Sequence, residues 1–262
     1  SAQSCSFSIG PQKNESDNEN FIIPHIAFAY QLDENSALGF AAYGNGGMNT
    51  TYKGGTASVP DGQGGHVTLP GTFGAGTTGV NLEQLFLNTS YAYKVTSDHS
   101  VAASFIFAYQ TFEGKGLNNF AAYSNDPQNI SNNGKDSATG FGAKFAWQGK
   151  ISDSLTLGAH YQTEIYMSKF DDYAGLYAEK GNFDIPATAT LGLAWNLDSK
   201  STLVFDIQSI YYSQVSAVAN EFSNLLTSCT PALPTSPASG SGCLGGPKAA
   251  GFGWKDMTIY KL

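Results

Sequence analysis

The chain has 262 residues and a formal net charge of −8, and its basic residues are all lysines, so the concentrated basic face of a nucleic-acid-binding protein is not expected. An aromatic content of 13% argues against a disordered chain. No apolar run reaches the roughly 18 residues that a transmembrane helix needs. We therefore expect a folded protein whose partners do not include nucleic acid.

Alternating apolar and polar residues predict a series of β-hairpins. The hairpins span 21–45, 82–113, 138–167 and 184–213. Their turns are short and polar, at 33–36, 96–100, 152–154 and 198–201, whereas long Gly-, Asn- and Pro-rich loops occupy 46–80, 114–137, 168–182 and 214–251. The pattern gives about nine strands of roughly 9–14 residues, longer than the typical 5–6. It predicts an antiparallel up-and-down meander with all short turns at one end.

The two faces of each strand differ in polarity. In "SLTLGAHYQTEIYM" (154–167) one parity carries Leu155, Leu157, Tyr161, Ile165 and Met167, and the other carries Thr156, His160, Gln162 and Glu164. Aromatic residues of the apolar parity precede the short turns at Tyr30, Tyr93, Trp147 and Trp195, as expected for the aromatic girdle of a membrane barrel. The alternative is a soluble β-sandwich, whose strands also alternate.

These patterns favour an all-β transmembrane barrel in the bacterial outer membrane, with an apolar outer face and a hydrated lumen. The residues predicted to face lipid are Phe145, Leu157, Tyr161, Leu191, Leu193 and Phe205. The polar residues predicted to face the lumen are Lys144, His160, Glu164 and Asp206.

Three cysteines are present. Cys229 and Cys243 flank a Pro- and Ser-rich loop, and a disulfide between them would suit an oxidising compartment; two free thiols are the alternative. Cys5 has no evident partner.

Several stretches resemble the FadL family of outer-membrane transporters for long-chain fatty acids and other hydrophobic compounds. They are "YGNGGMNTTY" (43–52), "FAYQTFEGKGL" (107–117), "MSKFDDYAGLYAEKGNFDIP" (167–186), "FDIQSIYYSQV" (205–215) and "GFGWKDMTIYKL" (251–262). The resemblance implies a 14-stranded barrel whose lumen is plugged by an N-terminal hatch. Because no hatch-like segment precedes "FIIP" and the chain ends within a strand, residues 1–262 are expected to be the middle portion of a longer single-domain barrel, without its hatch and last strands.

Catalytic and metal-binding patterns are not evident. The four histidines, His25, His66, His99 and His160, lie far apart and match no metal-ligand spacing. We therefore predict neither an enzyme nor a metal or cofactor site, and we interpret the polar residues of the lumen as side chains that pair with each other or with water.

Two functions remain open. The first is transport of long-chain fatty acids or similar compounds, in contact with outer-membrane lipid; the second is a general aqueous porin or a structural barrel, although a porin eyelet usually carries arginines and this chain has none. Apolar residues of the long loops are candidates for capturing the ligand or for packing the loops together: Phe73, Leu117, Phe120, Leu176 and Tyr177.

The strand that begins near Leu38 loses its alternation at Gly44, Asn45, Gly46 and Gly47. Clustered glycines commonly mark a bulge or kink, which would interrupt pairing and open the barrel wall. The family resemblance implies sideways release of cargo through such an opening. Alternatively, the glycines simply begin a flexible loop.

Overall fold

The computed structural model describes residues 8–262, so Cys5 lies outside the described residues. The strands are β1 Ser8–Ile9, β2 His25–Gln31, β3 Ser36–Tyr52, β4 Thr56–Pro60, β5 His66–Pro70, β6 Thr78–Lys94, β7 His99–Lys115, β8 Asp136–Lys150, β9 Leu155–Gln162, β10 Tyr166–Met167, β11 Thr188–Asn196, β12 Thr202–Ile210 and β13 Met257–Lys261. Three one-turn helices, α1 Ala178–Gly181, α2 Ser216–Ala219 and α3 Asn224–Thr227, lie in the connections, as do 3₁₀ turns at Asn118–Tyr123, Asp171–Tyr173 and Tyr212–Gln214.

The predicted meander is present. Strands β2, β3, β6, β7, β8, β9, β11, β12 and β13 pair in that order, each antiparallel to the next, and β10 adds to β8. β2 and β13 are the two edges of this sheet, which is not closed within residues 8–262. The described residues thus form part of a barrel wall.

The four short turns lie at one end of this wall, because each joins adjacent antiparallel strands. The aspartates in two of them fix the turn. Asp33 Oδ1 accepts the N–H groups of Asn35 and Ser36 at 2.7 and 2.9 Å, and Asp198 Oδ1 accepts those of Lys200 and Ser201 at the same two distances. Local side chain–backbone bonds of this kind favour turns over extended strand.

The long loop predicted at 46–80 is more ordered than its composition indicates. β3 continues to Tyr52 and β6 begins at Thr78, so both strands reach beyond the neighbouring β2. Between them β4 and β5 form a hairpin, and β1 joins β4 to complete a small three-stranded sheet. These strands could not be recognised from the composition of the segment, because glycines and polar residues surround each short apolar run.

The core lies on the inner face of the wall, near the long loops. Two segments fold back against this face, residues 163–187 and 211–218, which we call the loop plug. Phe112 of β7 makes edge-on ring contacts with Tyr173 and Tyr177, with centroids 4.7 and 4.9 Å apart. The buried cluster also contains Leu82, Phe86, Ile106, Ile165, Phe170, Phe183, Ile185, Val215 and Val218. Burial of these apolar side chains holds the plug against the strands.

The outer face of the wall carries exposed apolar side chains. Among the residues predicted to face lipid, Leu191 is 61% exposed, and Phe145 and Tyr161 are also exposed. Phe105 and Tyr109 on β7 belong to the same surface, whereas Ile106 and Ala108 between them are fully buried. A large apolar surface of this kind requires a nonpolar environment.

Candidate functional site: a lumen cavity beside a bulge in the wall

A cavity of about 430 Å³ lies between the inner face of the wall and the loop plug. Its apolar lining comes from Tyr43, Met48, Leu82, Phe183, Ile185, Pro186, Ile210, Tyr212, Val218 and Trp254. Its polar lining comes from Asn45, Gln84, Lys144, His160, Gln162, Asp184, Thr188 and Gln208. A mostly apolar concave site with a few polar groups has the character of a small-molecule site.

Two of the predicted lumen residues line this cavity and one lies lower. Lys144 and His160 project into it from β8 and β9. Asp206 instead lines a second, more open groove of about 510 Å³ toward the short turns, which His160 also borders. An added Cβ at Gly192 would lie close to the Asp206 carboxylate, so this glycine leaves the space that the Asp206 side chain occupies.

Glu164 does not belong with these three residues. After Gln162 pairs with Lys144, the next pair is Tyr166 with Phe141, so the strand β9–β10 carries one extra residue and contains a bulge. The bulge reverses the alternation, because Ile165 is 0% exposed while Tyr166 is 71% exposed. Glu164 lines neither cavity. The expectation that Ile165 and Met167 share the lipid-facing parity was therefore wrong.

Glycines of β8 make room for this inward turn. A Cβ at Gly142 would lie 2.7 Å from Ile165 Cγ1, and one at Gly140 would lie 2.5 Å from both Met167 Sδ and the Tyr166 carbonyl oxygen. Real Cβ contacts are essentially never so short. The chain can therefore leave the wall at Ile165 and enter the plug because β8 carries no side chains there.

The glycine cluster of β3 forms a bulge beside the cavity. Gly44 pairs with Leu85 and Gly47 with Glu83, so Asn45 and Gly46 together oppose the single residue Gln84. Pairing with β6 is interrupted only at the bulge and then continues to Tyr52, so these residues do not begin a flexible loop. Gly46 is part of β3, but the atoms around it are not described.

Along the other edge of β3, a different segment of the chain lies beside the strand on each side of the bulge. The last pair of β2 and β3 is His25 with Tyr43, and only the bond from the Gly44 N–H to the Pro24 carbonyl follows. Beyond the bulge, β3 is contacted by the polar segment 16–18, through the Asp17 N–H to the Thr51 carbonyl at 2.8 Å and the Asn18 amide to the Thr51 hydroxyl at 3.0 Å. The wall is therefore discontinuous beside the cavity.

Residues 1–233 match the family described as outer membrane protein transport protein (OMPP1/FadL/TodX). The chain belongs to this family. No curated protein sequence matches it significantly.

Solved structures of FadL-type transporters share the fold. The Ralstonia pickettii toluene transporter TbuX matches with a TM-score of 0.58 at 16% identity, over 97% of this chain and 69% of that one. The Pseudomonas putida toluene transporter TodX matches with a TM-score of 0.54 at 18% identity, over 77% of this chain and 57% of that one. A Pseudomonas aeruginosa FadL homologue matches with a TM-score of 0.52 at 17% identity, over 73% of this chain and 49% of that one. The chain thus spans about half the length of the last two structures.

Membership of the OMPP1/FadL/TodX family places the protein in the bacterial outer membrane. Among the described residues, no helix is long and apolar enough to cross a membrane. The same residues contain no cluster of His, Cys, Asp or Glu side chains that could hold a metal ion.

The predicted capture residues of this FadL-family chain separate into two groups. Phe73 and Phe120 make an edge-on ring contact with centroids 5.3 Å apart, and Phe120 and Leu176 both pack against the buried cluster of Ile130, Leu225 and Leu244. Leu117 is partly buried just before the 3₁₀ turn at Asn118–Tyr123. Tyr177 instead lies inside the plug, where burial raises the pKa of its hydroxyl well above its ordinary value. Phe120 and Leu176 therefore share one small cluster in the loops, with Phe73 against Phe120, whereas Tyr177 belongs to the buried core of the plug.

Cys229 and Cys243 form a disulfide in the loop after α3. Cys243 is buried, and the next residue, Leu244, donates its N–H to the Tyr123 carbonyl at 2.9 Å and accepts the Asn125 N–H at 3.0 Å. The disulfide closes the last long loop on itself, and the bonds of Leu244 connect that loop to the long loop at 114–137, outside the strand pairs of the wall.

Sequence analysis overlooked the plug residues that complete the cavity. Asp184 is buried, with its carboxylate accepting the Met167 N–H at 2.7 Å and the Asn182 amide at 3.1 Å. Burial raises the pKa of this carboxyl, and the bond from Met167 opposes that shift. Gln110 and Trp254 were also missed. The available signal was "FDIP", a short apolar run around an aspartate and next to a proline.

Proposed function

We propose that the protein carries long-chain fatty acids or similar hydrophobic compounds through the outer membrane. Cargo is captured at the loops around Phe73, Phe120 and Leu176, enters the cavity, and leaves sideways at the β3 bulge into lipid. The observation that carries this proposal is the position of the cavity. Asn45, Gly47 and Met48 of the bulge line it, where β2 stops pairing with β3.

Sideways release is favourable for such cargo. An acyl chain that passes from the cavity into the bilayer avoids water, which is worth about 0.8 kcal/mol for each buried CH₂ group. Below the cavity, the lumen opens into a groove that is less enclosed than the cavity and is bordered by Ser100, Ala102, Gln148, Thr156 and Asp206, so it shields an acyl chain from water less well. The loop plug, which packs against the inner face of the wall, likewise supports transport of hydrophobic cargo over the aqueous porin considered above, because a porin needs a continuous polar lumen.

The charge in the cavity supports a fatty acid in particular. Within the described residues, Lys144 makes no ion pair and no hydrogen bond, so its ammonium group is available to a carboxylate. The second candidate cargo is an aromatic hydrocarbon, which the rings of Tyr43, Phe183, Tyr212 and Trp254 in the lining favour.

Gly47→Val tests the sideways route. A Cβ at Gly47 would lie within 2.2 Å of the Leu82 carbonyl oxygen, so valine cannot enter the bulge in its present form. Gly39→Val is the matched control in the same strand, because a Cβ there meets nothing closer than 3.6 Å. We expect Gly47→Val to abolish uptake of labelled oleate by intact cells and Gly39→Val to retain it. Unchanged uptake in folded, surface-expressed Gly47→Val protein would contradict the route.

Lys144→Met separates the two cargoes. Loss of the charge is expected to reduce uptake of oleate and to leave uptake of toluene unchanged, because only the fatty acid offers a carboxylate. Equal effects on both compounds would remove the argument for a fatty acid without affecting the sideways route.

A further inference from the structure

A row of amide side chains connects the β3 bulge to the loop plug. Asn45 Nδ2 donates to Gln84 Oε1 at 3.2 Å, Gln84 Nε2 donates to Gln110 Oε1 at 3.0 Å, and Gln110 Nε2 donates to the Phe183 carbonyl at 2.7 Å. Each amide thus donates to the next, from the bulge across β6 and β7 to the plug. We call these three side chains the amide relay.

The buried position of Gln110 makes the relay informative. Gln110 is 0% exposed and lies between Ala108 and Phe112 on an apolar inner face. A buried amide costs free energy unless it is hydrogen-bonded, and an apolar side chain would pack there without that cost. Both the oxygen and the nitrogen of Gln110 are bonded within the relay. What a glutamine adds at this site is a fixed connection between the wall and the plug.

The two ends of the relay both border the cavity. Asn45 and Gln84 line it at the bulge, and Phe183 lines it from the plug, followed by Asp184, Ile185 and Pro186. Gln84 is also the residue that the two bulge residues oppose. Cargo that displaces Phe183 therefore acts on the same hydrogen-bonded row that holds Asn45.

We infer that the amide relay couples occupation of the cavity to the conformation of the β3 bulge. Gln84 and Gln110 are positioning residues: they transmit a shift of the Phe183 segment to Asn45, so that the bulge responds when cargo is present. Chains of hydrogen bonds strengthen one another in a low-dielectric interior, which favours such a concerted response. This inference rests on the proposed function, since it requires cargo in the cavity.

Hydrogen exchange tests the coupling. The full-length protein in lipid nanodiscs is compared with and without dodecanoate, and exchange is followed by mass spectrometry in peptides covering 182–187 of the plug and 43–48 of the bulge. In the wild type, we expect dodecanoate to change exchange in both peptides. In Gln110→Leu, the plug peptide should still respond and the response of the bulge peptide should be lost. A merely structural role for Gln110 would not remove the response of one peptide alone.

Two further variants make this test specific to the relay. Gln148→Leu makes the same substitution on the inner face of the wall, at a residue that belongs neither to the cavity lining nor to the relay, and both peptides should respond as in the wild type. Asn45→Ala breaks the exposed end of the relay and should reproduce the loss seen in Gln110→Leu, even if the latter folds poorly.

The possible results separate the inference from the proposed function. A full response of the bulge in folded Gln110→Leu and in Asn45→Ala overturns the coupling and leaves transport intact. Loss of the response in Gln148→Leu as well also overturns it, because the effect is then not specific to the relay. If neither wild-type peptide responds to dodecanoate, while oleate uptake is normal, cargo does not act through Phe183 and the coupling is again wrong. If uptake is also absent, the proposed function fails with it.

Discussion

The inner face of the wall differs between its turn half and its loop half, although the same strands build both. On β7, the residues nearest the short turn are Ser100, Ala102 and Ser104, which are small and border an open groove or its edge. Farther along the same face, Ile106, Gln110 and Phe112 are fully buried beneath the loop plug. Strand alternation separates inside from outside, but the contents of the lumen are decided by which loops fold back into it.

This difference has a functional consequence. A wide, open groove lies below and a packed apolar region lies above, and the cavity between them is the enclosed space that borders the discontinuity of the wall. The following variants compare the two halves, or the two faces, by pairs of matched substitutions.

The largest effect is expected at Phe112, in the loop half of β7. Its ring packs against Tyr173, Tyr177 and Phe170 and is fully buried. Phe112→Ala should lower the free energy of unfolding by about 3–5 kcal/mol, the usual cost of such a cavity. Phe105→Ala, on the outer face of the same strand, should cost less. Urea unfolding in lipid vesicles measures both, and a larger cost at Phe105 would contradict the packed plug.

The outer face is tested at Leu191 and its neighbour. Leu191→Arg places a charge toward lipid and should cost about 2–4 kcal/mol near the middle of the membrane. Thr190→Arg points into the groove beside His160 and should cost far less. Equal costs in the same vesicle assay would show that the two faces have been assigned incorrectly.

The inward turn of the plug depends on the glycines of β8. Gly140→Ala brings a Cβ within 2.5 Å of the Tyr166 carbonyl oxygen and should cost about 1–3 kcal/mol, as overpacking usually does. Gly158→Ala in the turn half meets nothing closer than 3.8 Å and should be close to neutral. Thermal unfolding in detergent compares them, and a neutral Gly140→Ala would count against the bulge at Ile165.

The smallest effect concerns the turns. Hydrogen bonds from Ser36 and from the Asn35 N–H lower the pKa of Asp33 below its ordinary value of 3.8, and bonds from Lys200 and Ser201 lower that of Asp198. A lowered pKa stabilises the fold above the unfolded-state pKa, and this stabilisation is lost as the pH falls through the folded-state value. The double variant Asp33→Asn, Asp198→Asn should therefore lose slightly less stability than the wild type as the pH falls from about 5, roughly one unit above the ordinary carboxyl pKa, through 3.8 and on through the lowered folded-state pKa values. An identical acid dependence would contradict this role.

Much of the wall could be predicted from the sequence, because a period of two survives wherever one face is apolar and the turns are polar. Leu191, Phe145 and Tyr161 are examples. The bulge at Glu164 could not be predicted, because one extra residue leaves Ile165 looking like a continuation of the apolar parity. The plug was equally hidden, since Phe170, Tyr173 and Phe183 lie in irregular loops and become buried only through tertiary contacts with β7. Gln110 looked like an ordinary polar strand residue.

The most direct test of the account is where cargo contacts the protein. A photoreactive long-chain fatty acid is supplied to cells, cross-linked during uptake, and mapped by mass spectrometry. The account predicts adducts on Phe183, Met48 and Asn45, around the cavity and the β3 bulge, with few on Gln148 or Thr156 of the lower groove. Adducts concentrated on Gln148 and Thr156 would instead mean that cargo passes straight down the lumen, and would contradict release through the wall.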